Sequence, residues 1–247
     1  MSPDDLERYK RHILLKEIGG QGQQRLRAAT VALVGAGGIG APVALYLAAA
    51  GVGRLRLIDP DEVSLSNLQR QVLYRTADIG RPKTEAAAAA LKALNPGVEI
   101  DARAERLDPS NAVDLLGGAE VIVDGCDDFA TRFAVNDACH ALNAPLVSAA
   151  VGRWDGQVAV FGGHADAPCY RCFVPDVPPD AEPCALQGVV GALTGLVGAM
   201  AALEAIKLIA RSGTPLVGRI WIVDALNAES RTVKLARDPA CRTCGAP

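Results

Sequence analysis

Two stretches of this chain carry residue types at spacings that can do chemistry. The first is a pair of CxxC knuckles, Cys169-Tyr-Arg-Cys172 and Cys241-Arg-Thr-Cys244. Each knuckle offers two thiolates to one face, and four thiolates complete a closed tetrahedral zinc site. Two disulfides or a redox dithiol are the competing chemistries. An intracellular setting disfavours the disulfides, and two loop-borne pairs do not match a single CxxC ahead of a helix. A four-thiolate zinc leaves no open coordination position, so the site would staple the end of the chain to its middle without taking part in catalysis. The second stretch is 30–83. A β-branched run at 30–34 meets Gly35, Gly37, Gly38 and Gly40 and leads into an Ala-rich segment at 41–50, which reads as strand, tight turn and helix. Such a turn lets backbone approach a phosphate, and the helix N-terminus presents free N–H groups and a positive dipole end. Asp59 closes a second strand at 54–58, where an acid can bond ribose hydroxyls.

A glycine loop and an acid admit any nucleotide binder, an NAD-dependent oxidoreductase included. The continuation is more particular: Asp61, then Ser66-Asn67-Leu68-Gln69-Arg70-Gln71, then Lys83. Arg70 and Lys83 beside Asn67 suit a triphosphate whose charge must be neutralised during attack at the α-phosphorus, chemistry that rests on positioning and charge stabilisation. Asp127 follows a fourth parallel strand, on the sheet edge where ligands bind in open α/β folds, and can hold magnesium through oxygen. Asp124 and Asp128 lie beside it, and one of these acids could instead cap the helix that follows. Of the remaining cysteines, Cys126 and Cys139 read as packing residues. Cys184, in the loop Glu182-Pro-Cys-Ala-Leu-Gln-Gly188, is either an acceptor thiol or a plain loop cysteine.

The elements that must position these groups follow from periodicity and punctuation. Ser2-Pro3-Asp4-Asp5 is a helix start, and the helix is expected to run to about Leu15 with Leu6, Tyr9, Ile13 and Leu14 inward. Gly19-Gly20-Gln21-Gly22 is expected to break it before a short helix at 23–28. Beyond Lys83 come a helix at 84–94, a strand at 98–104, a helix at 110–116, a strand at 120–123, a helix at 130–142 and a strand at 145–150. That alternation implies a mostly parallel sheet with right-handed crossovers. Past Val151 the rhythm changes: a hairpin leads into a strand at 157–161, a loop covers 165–183, an apolar helix runs from 189 to about 210, and 219–224 pairs with 231–235. The fold class is therefore α/β, a Rossmann-like sheet continued by antiparallel strands. The expected organisation is a single domain, with a helical leader at 1–29, a nucleotide-binding half at 30–150 and an antiparallel half carrying the zinc site at 151–247.

Composition narrows the partners. The 247 residues are 50% hydrophobic and carry a net charge of −3, so no basic surface argues for nucleic acid. The N-terminus lacks the apolar core of a signal peptide. The fifteen uncharged residues at 189–203 fall short of the ~20 a bilayer needs, and Glu204 and Lys207 follow at helical spacing. A buried helix in a soluble, cytoplasmic protein is the expectation.

Taken together, the chain resembles the MoeB/ThiF/HesA adenylyltransferases, relatives of the adenylation half of ubiquitin-activating enzymes. Seven motifs carry the resemblance: Arg8-Tyr-Lys-Arg11, Gly35-x-Gly-Gly-x-Gly40, Asp59-x-Asp-x-Val-x-x-Ser-Asn-Leu-x-Arg-Gln71, Gly80-x-Pro-Lys83, Asp124-x-x-Asp127, Pro168-Cys-Tyr-Arg-Cys172 and Cys241-x-x-Cys244. The resemblance implies a homodimer that binds ATP and magnesium at each glycine loop. Each site would activate the C-terminal Gly-Gly carboxylate of a small ubiquitin-fold sulfur-carrier protein, in a molybdopterin, thiamine or related pathway. It further implies nucleotide or magnesium contacts from Gly38, Asp59, Ser66 to Arg70, Lys83, Asp127 and Asp128. Arg11 would reach the neighbouring subunit's triphosphate, and Cys184 would serve later sulfur transfer. Two departures from the family pattern stand out: Asp128 replaces a common Asn, and no rhodanese-like domain is expected after the second knuckle, so sulfur would come from a separate protein.

Overall fold

The structure is a computed structural model that describes residues 1–164, 166–178 and 188–245. One eight-stranded sheet runs through it in the order β3-β2-β1-β4-β5-β6-β7-β8. Strands β1 (Thr30–Val34), β2 (Arg54–Ile58), β3 (Glu99–Arg103), β4 (Val121–Asp124) and β5 (Leu146–Gly152) are parallel. β1 and β4 lie at the centre and are almost wholly buried, as unbroken apolar runs must be when helices cover both sheet faces. From β5 the chain reverses through Arg153 and Trp154, with Arg153 in the left-handed region at φ 47°, and β6 (Asp155–Phe161) pairs antiparallel. β7 (Arg219–Asp224) and β8 (Glu229–Lys234) complete the meander.

Helices form a layer on each face. α3 (Gly19–Ala28), α4 (Gly40–Ala50), α5 (Lys83–Leu94) and α9 (Gly191–Ala210) build one core with the sheet. α6 (Ala112–Leu116), α7 (Phe129–Leu142) and α8 (Tyr170–Phe173) build the other. By length and composition α9 could span a membrane; half of its apolar window is buried, and it packs on α3, α4, β5 and β6 with Glu204 fully enclosed.

The leader differs from expectation. It forms two short helices, α1 (Pro3–Arg8) and α2 (Lys10–Ile13), broken at Tyr9, whose ψ of 9° leaves the helical well. Tyr9 breaks the helix because its ring is buried against Gly51 at the end of α4, and its hydroxyl accepts from Asn95 Nδ2 at 2.8 Å. Leu6 and Leu14 are exposed, not inward. The glycine run does not break a helix either; it lies within α3. A Cβ at Gly22 would sit 3.5 Å from Ala210 Cβ and 2.9 Å from Ile18 Cγ2. Close packing on the end of α9 outweighs the ~1 kcal/mol that glycine costs in a helix. Smaller shifts are β8 starting at Glu229 instead of 231 and α6 starting at Ala112 instead of 110, each set by local hydrogen bonding that periodicity does not report.

Candidate functional site

Strand order reverses direction between β1 and β4, and the carboxyl ends of these strands open a crevice of about 710 Å³. The glycine loop forms its floor. Gly35 adopts φ 87°, and a Cβ at Gly40 would lie 1.9 Å from the Gly35 carbonyl oxygen, so α4 can start this close to β1 only with glycine there. Gly40 thus acts behind the loop and does not line the crevice. The peptide of Ala36 is held from both sides: its N–H donates to Asp59 Oδ2 at 2.7 Å, and its carbonyl accepts from the Tyr74 hydroxyl at 2.7 Å.

Asp59 is buried and also accepts from the Asp61 N–H at 2.9 Å. Burial pushes its carboxyl above the usual range; the Lys83 charge and the two N–H donors oppose that rise without cancelling it. Lys83, first residue of α5 and itself buried, places Nζ 2.9 Å from Asp61 Oδ2 and 3.9 Å from Asp59 Oδ1. Its backbone N–H bonds the Asp61 carbonyl at 2.9 Å, which ties the cation's position to the acids it serves. Arg70 lies over the loop from the other side: a Cβ on Gly38 would meet Arg70 Cδ at 3.4 Å and Thr194 Cγ2 at 3.1 Å. Asn67 Oδ1 accepts from the Ser64 N–H at 3.1 Å, which sets the 3-10 turn at Leu65–Asn67.

Across the crevice, β4 ends in Asp124 and the chain turns toward α7. Asp128 is the N-cap of α7, with Oδ1 accepting from the Thr131 N–H at 2.8 Å. Capping therefore falls to Asp128, and the neighbouring Asp127 carboxylate is exposed in the crevice with no hydrogen bond or ion pair to any described residue. An oxygen donor left unpartnered opposite a phosphate-cradling loop suits magnesium.

The crevice lining includes Gly35, Gly37, Gly38, Asp59, Asp61, Asn67, Gln69, Arg70, Lys83, Asp127 and Asp128 from the expected set. Ser66 and Leu68 do not line it: Ser66 faces Ser64 at 3.0 Å, and Leu68 packs on the core. Arg11 lies on α2, outside the crevice of its own chain, and its side chain meets no described hydrogen-bonding partner. Cys184 falls outside the described residues. Gln71, which the sequence motif includes without a role of its own, also lines the crevice, as do Arg132 and Thr194, which sequence reasoning passed over. The i, i+4 relation of Arg132 to Asp128 was the available signal, because it puts the arginine on the first turns of the helix that begins at the site.

The four knuckle cysteines converge. Their sulfurs all lie within 4.8 Å of one another, with Cys169–Cys241 at 3.5 Å and Cys172–Cys244 at 3.3 Å. Those separations are too long for disulfides, near ~2 Å, and match sulfurs each ~2.3 Å from one zinc ion. Although burial pushes the Cys241 thiol up, hydrogen bonds from the Cys244 and Thr243 N–H groups outweigh it and bring the thiol down to about 7. The cluster is compatible with zinc. Cys139 is buried, and burial pushes its thiol up, as it does with Asp124 at Cys126.

Comparison with known proteins agrees with this geometry. Residues 9–243 match the ThiF family model. A sulfur carrier protein adenylyltransferase of Thermus thermophilus is 46% identical over 98% of this chain and 92% of its own length. The SAMP-activating enzyme E1 of Haloferax volcanii is 45% identical, over 97% of this chain and 89% of its own. A bovine adenylyltransferase and sulfurtransferase MOCS3 is 46% identical, but the match covers 54% of that longer protein. Among solved structures, E. coli MccB with AMPCPP and MccA superposes with a TM-score of 0.84 at 25% identity, over 96% of this chain and 74% of that one. The chain belongs to the ThiF family.

Proposed function

We propose that this protein adenylylates the C-terminal Gly-Gly carboxylate of a small ubiquitin-fold sulfur-carrier protein. The carboxylate oxygen attacks the α-phosphorus of ATP, the bond to the β-phosphate oxygen breaks, and the products are an acyl-adenylate and pyrophosphate. The observation that carries this reading is the meeting of Arg70, Lys83 and Asp127 around one glycine loop. The names of two relatives that match nearly the whole chain support the substrate class.

In this reading the loop N–H groups and Asp59 bind the nucleotide. Lys83 and Arg70 stabilise charge on the phosphates, and Asp127, with Asp128 near it, would hold magnesium, which neutralises the oxyanions when bound. No proton has to be moved, because the attacking group is already a carboxylate. Zinc in the four-cysteine cluster would hold the C-terminal segment against the knuckle at Cys169.

A homodimer completes the site. The leader is fixed at the Gly51 end of α4, the end away from the glycine loop, and eleven residues of helix span ~16 Å. Arg11 therefore cannot serve its own crevice, whereas a second copy could supply it. Tyr46 on α4 with Leu196 and Leu203 on α9 are exposed apolar side chains on two helices packed together, a surface suited to a second copy. A reducing, cytoplasmic setting fits the six described cysteines, all of them without disulfides. Sulfur would arrive from a separate donor, with Cys184 as the acceptor thiol.

Carrier-dependent exchange of labelled pyrophosphate into ATP tests the activity, with candidate carriers from the molybdopterin and thiamine pathways assayed side by side. A carrier ending in Gly-Gly should support exchange, and the same carrier lacking its last glycine should not. Tight NAD binding without exchange for any carrier would refute the proposal.

A further inference from the structure

Asp127 is the proposed magnesium-holding acid, yet no described residue hydrogen-bonds or ion-pairs with its side chain, so among the described residues what aims it acts on the backbone around it. The next residue is fixed by the Asp128 cap. The preceding residue is fixed by Arg132, one turn further along the same helix. Arg132 is 7% exposed. Its Nη2 donates to the Cys126 carbonyl, on the peptide that leads into Asp127, and to the Ala149 carbonyl of β5 at 2.9 Å. Its Nη1 donates to Asp124 Oδ2 at 3.2 Å and to Ser148 Oγ at 3.2 Å. Asp124 closes the turn from within, accepting at Oδ1 from the Cys126 N–H at 3.0 Å and from its thiol at 2.6 Å.

One planar guanidinium thus joins the end of β4, the loop at 126 and strand β5. A lysine in its place could balance the Asp124 charge but could not bridge these acceptors together. The geometry points to Arg132 as a positioning residue: it holds the 124–126 turn against β5 so that the Asp127 carboxylate faces the glycine loop at the distance a bound cation requires. This rests on the reading of Asp127 given above.

The test is manganese(II) binding, read by electron paramagnetic resonance, to the full-length protein saturated with a non-hydrolysable ATP analogue. Groups that orient a metal-holding side chain typically set 10–100-fold in metal affinity. Arg132→Lys should therefore weaken manganese about 10-fold or more. It should raise the magnesium needed for half-maximal pyrophosphate exchange by a similar factor, and leave metal-free analogue binding unchanged. The effect should vanish in an Asp127→Asn background, since a positioning residue has nothing to aim once its target is gone. Unchanged manganese affinity in Arg132→Lys, or a loss that persists in full with Asp127→Asn, would overturn the assignment. If the lysine variant does not fold, Arg132→Gln with Asp124→Asn removes the buried pair together and is held to the same outcomes. Wild-type protein that binds manganese and analogue but gives no exchange with any carrier would overturn the proposed function alone and leave Arg132 to be decided by the binding data.

Discussion

Lys83→Met separates the electrostatic role of the buried lysine from its packing. Methionine keeps most of the aliphatic stem and removes the ammonium group that lies 3.9 Å from the buried Asp59 oxygen. A unit-charge pair at that distance interacts by about 4 kcal/mol at an effective dielectric of 20, and removing one partner of a buried pair costs ~3–5 kcal/mol. Asp59 keeps two backbone donors, which favours the lower end, about 3 kcal/mol or roughly 6–12 °C in Tm for a chain of this size. The loss must depend on pH in a defined direction. Burial already raises the Asp59 carboxyl above its unfolded value, and losing Lys83 raises it further. The folded variant then binds a proton that the unfolded chain releases, so its stability falls as pH rises from the unfolded value, about 3.9, through the folded one. The deficit relative to wild type should be full near pH 7 and shrink as pH drops toward 4. Thermal melts across that range, without nucleotide, measure it. Pyrophosphate exchange by the same variant should fall about 10²–10³-fold, the usual effect of deleting one charge-stabilising donor. A deficit of equal size at every pH would assign the loss to packing, and undiminished exchange would refute a role for Lys83 at the phosphates.

Three further predictions test other parts of the molecule. Arg11→Ala and Arg70→Ala should each be nearly inactive alone, yet mixing them with subunit exchange should restore about a quarter of wild-type exchange, because one site in each mixed dimer regains both arginines; no recovery in a verified mixed dimer would exclude supply of Arg11 in trans. Wild type should carry one zinc per chain by metal analysis, and Cys241→Ser should lose it and drop stability by about 4 kcal/mol or more, as loss of a structural metal does; retention of stoichiometric zinc would refute the four-thiolate site. Asp101 is held below the usual carboxylate range: burial pushes it up, but hydrogen bonds and charge from Arg103 and Arg56 prevail. Its contribution is therefore present above about pH 4 and lost as pH falls. Asp101→Asn should flatten the acid limb of the stability curve, and an unchanged limb would show that the pair contributes nothing.

Much of the site was legible because its chemistry is local in sequence. The glycine loop, Asp59 at the end of β2 and the two CxxC knuckles announce themselves by residue type and spacing, and the central strands by unbroken apolar runs. Contacts between distant segments were not legible. Tyr9 splits the leader helix because its ring meets Gly51, and Gly22 of α3 stays helical because the end of α9 packs on it; neither partner is near in the chain. The choice between Asp127 and Asp128 was likewise open in sequence, since either acid can cap a helix. It is decided by backbone dihedrals: Asp128 takes the extended conformation at the N-cap and directs its oxygen to the Thr131 N–H. Arg132 was signalled in sequence only by its spacing from Asp128, and its role stayed hidden for a related reason. A buried arginine acquires its meaning only when strand end, loop and β5 come within reach of one guanidinium, and that convergence exists only in the folded chain.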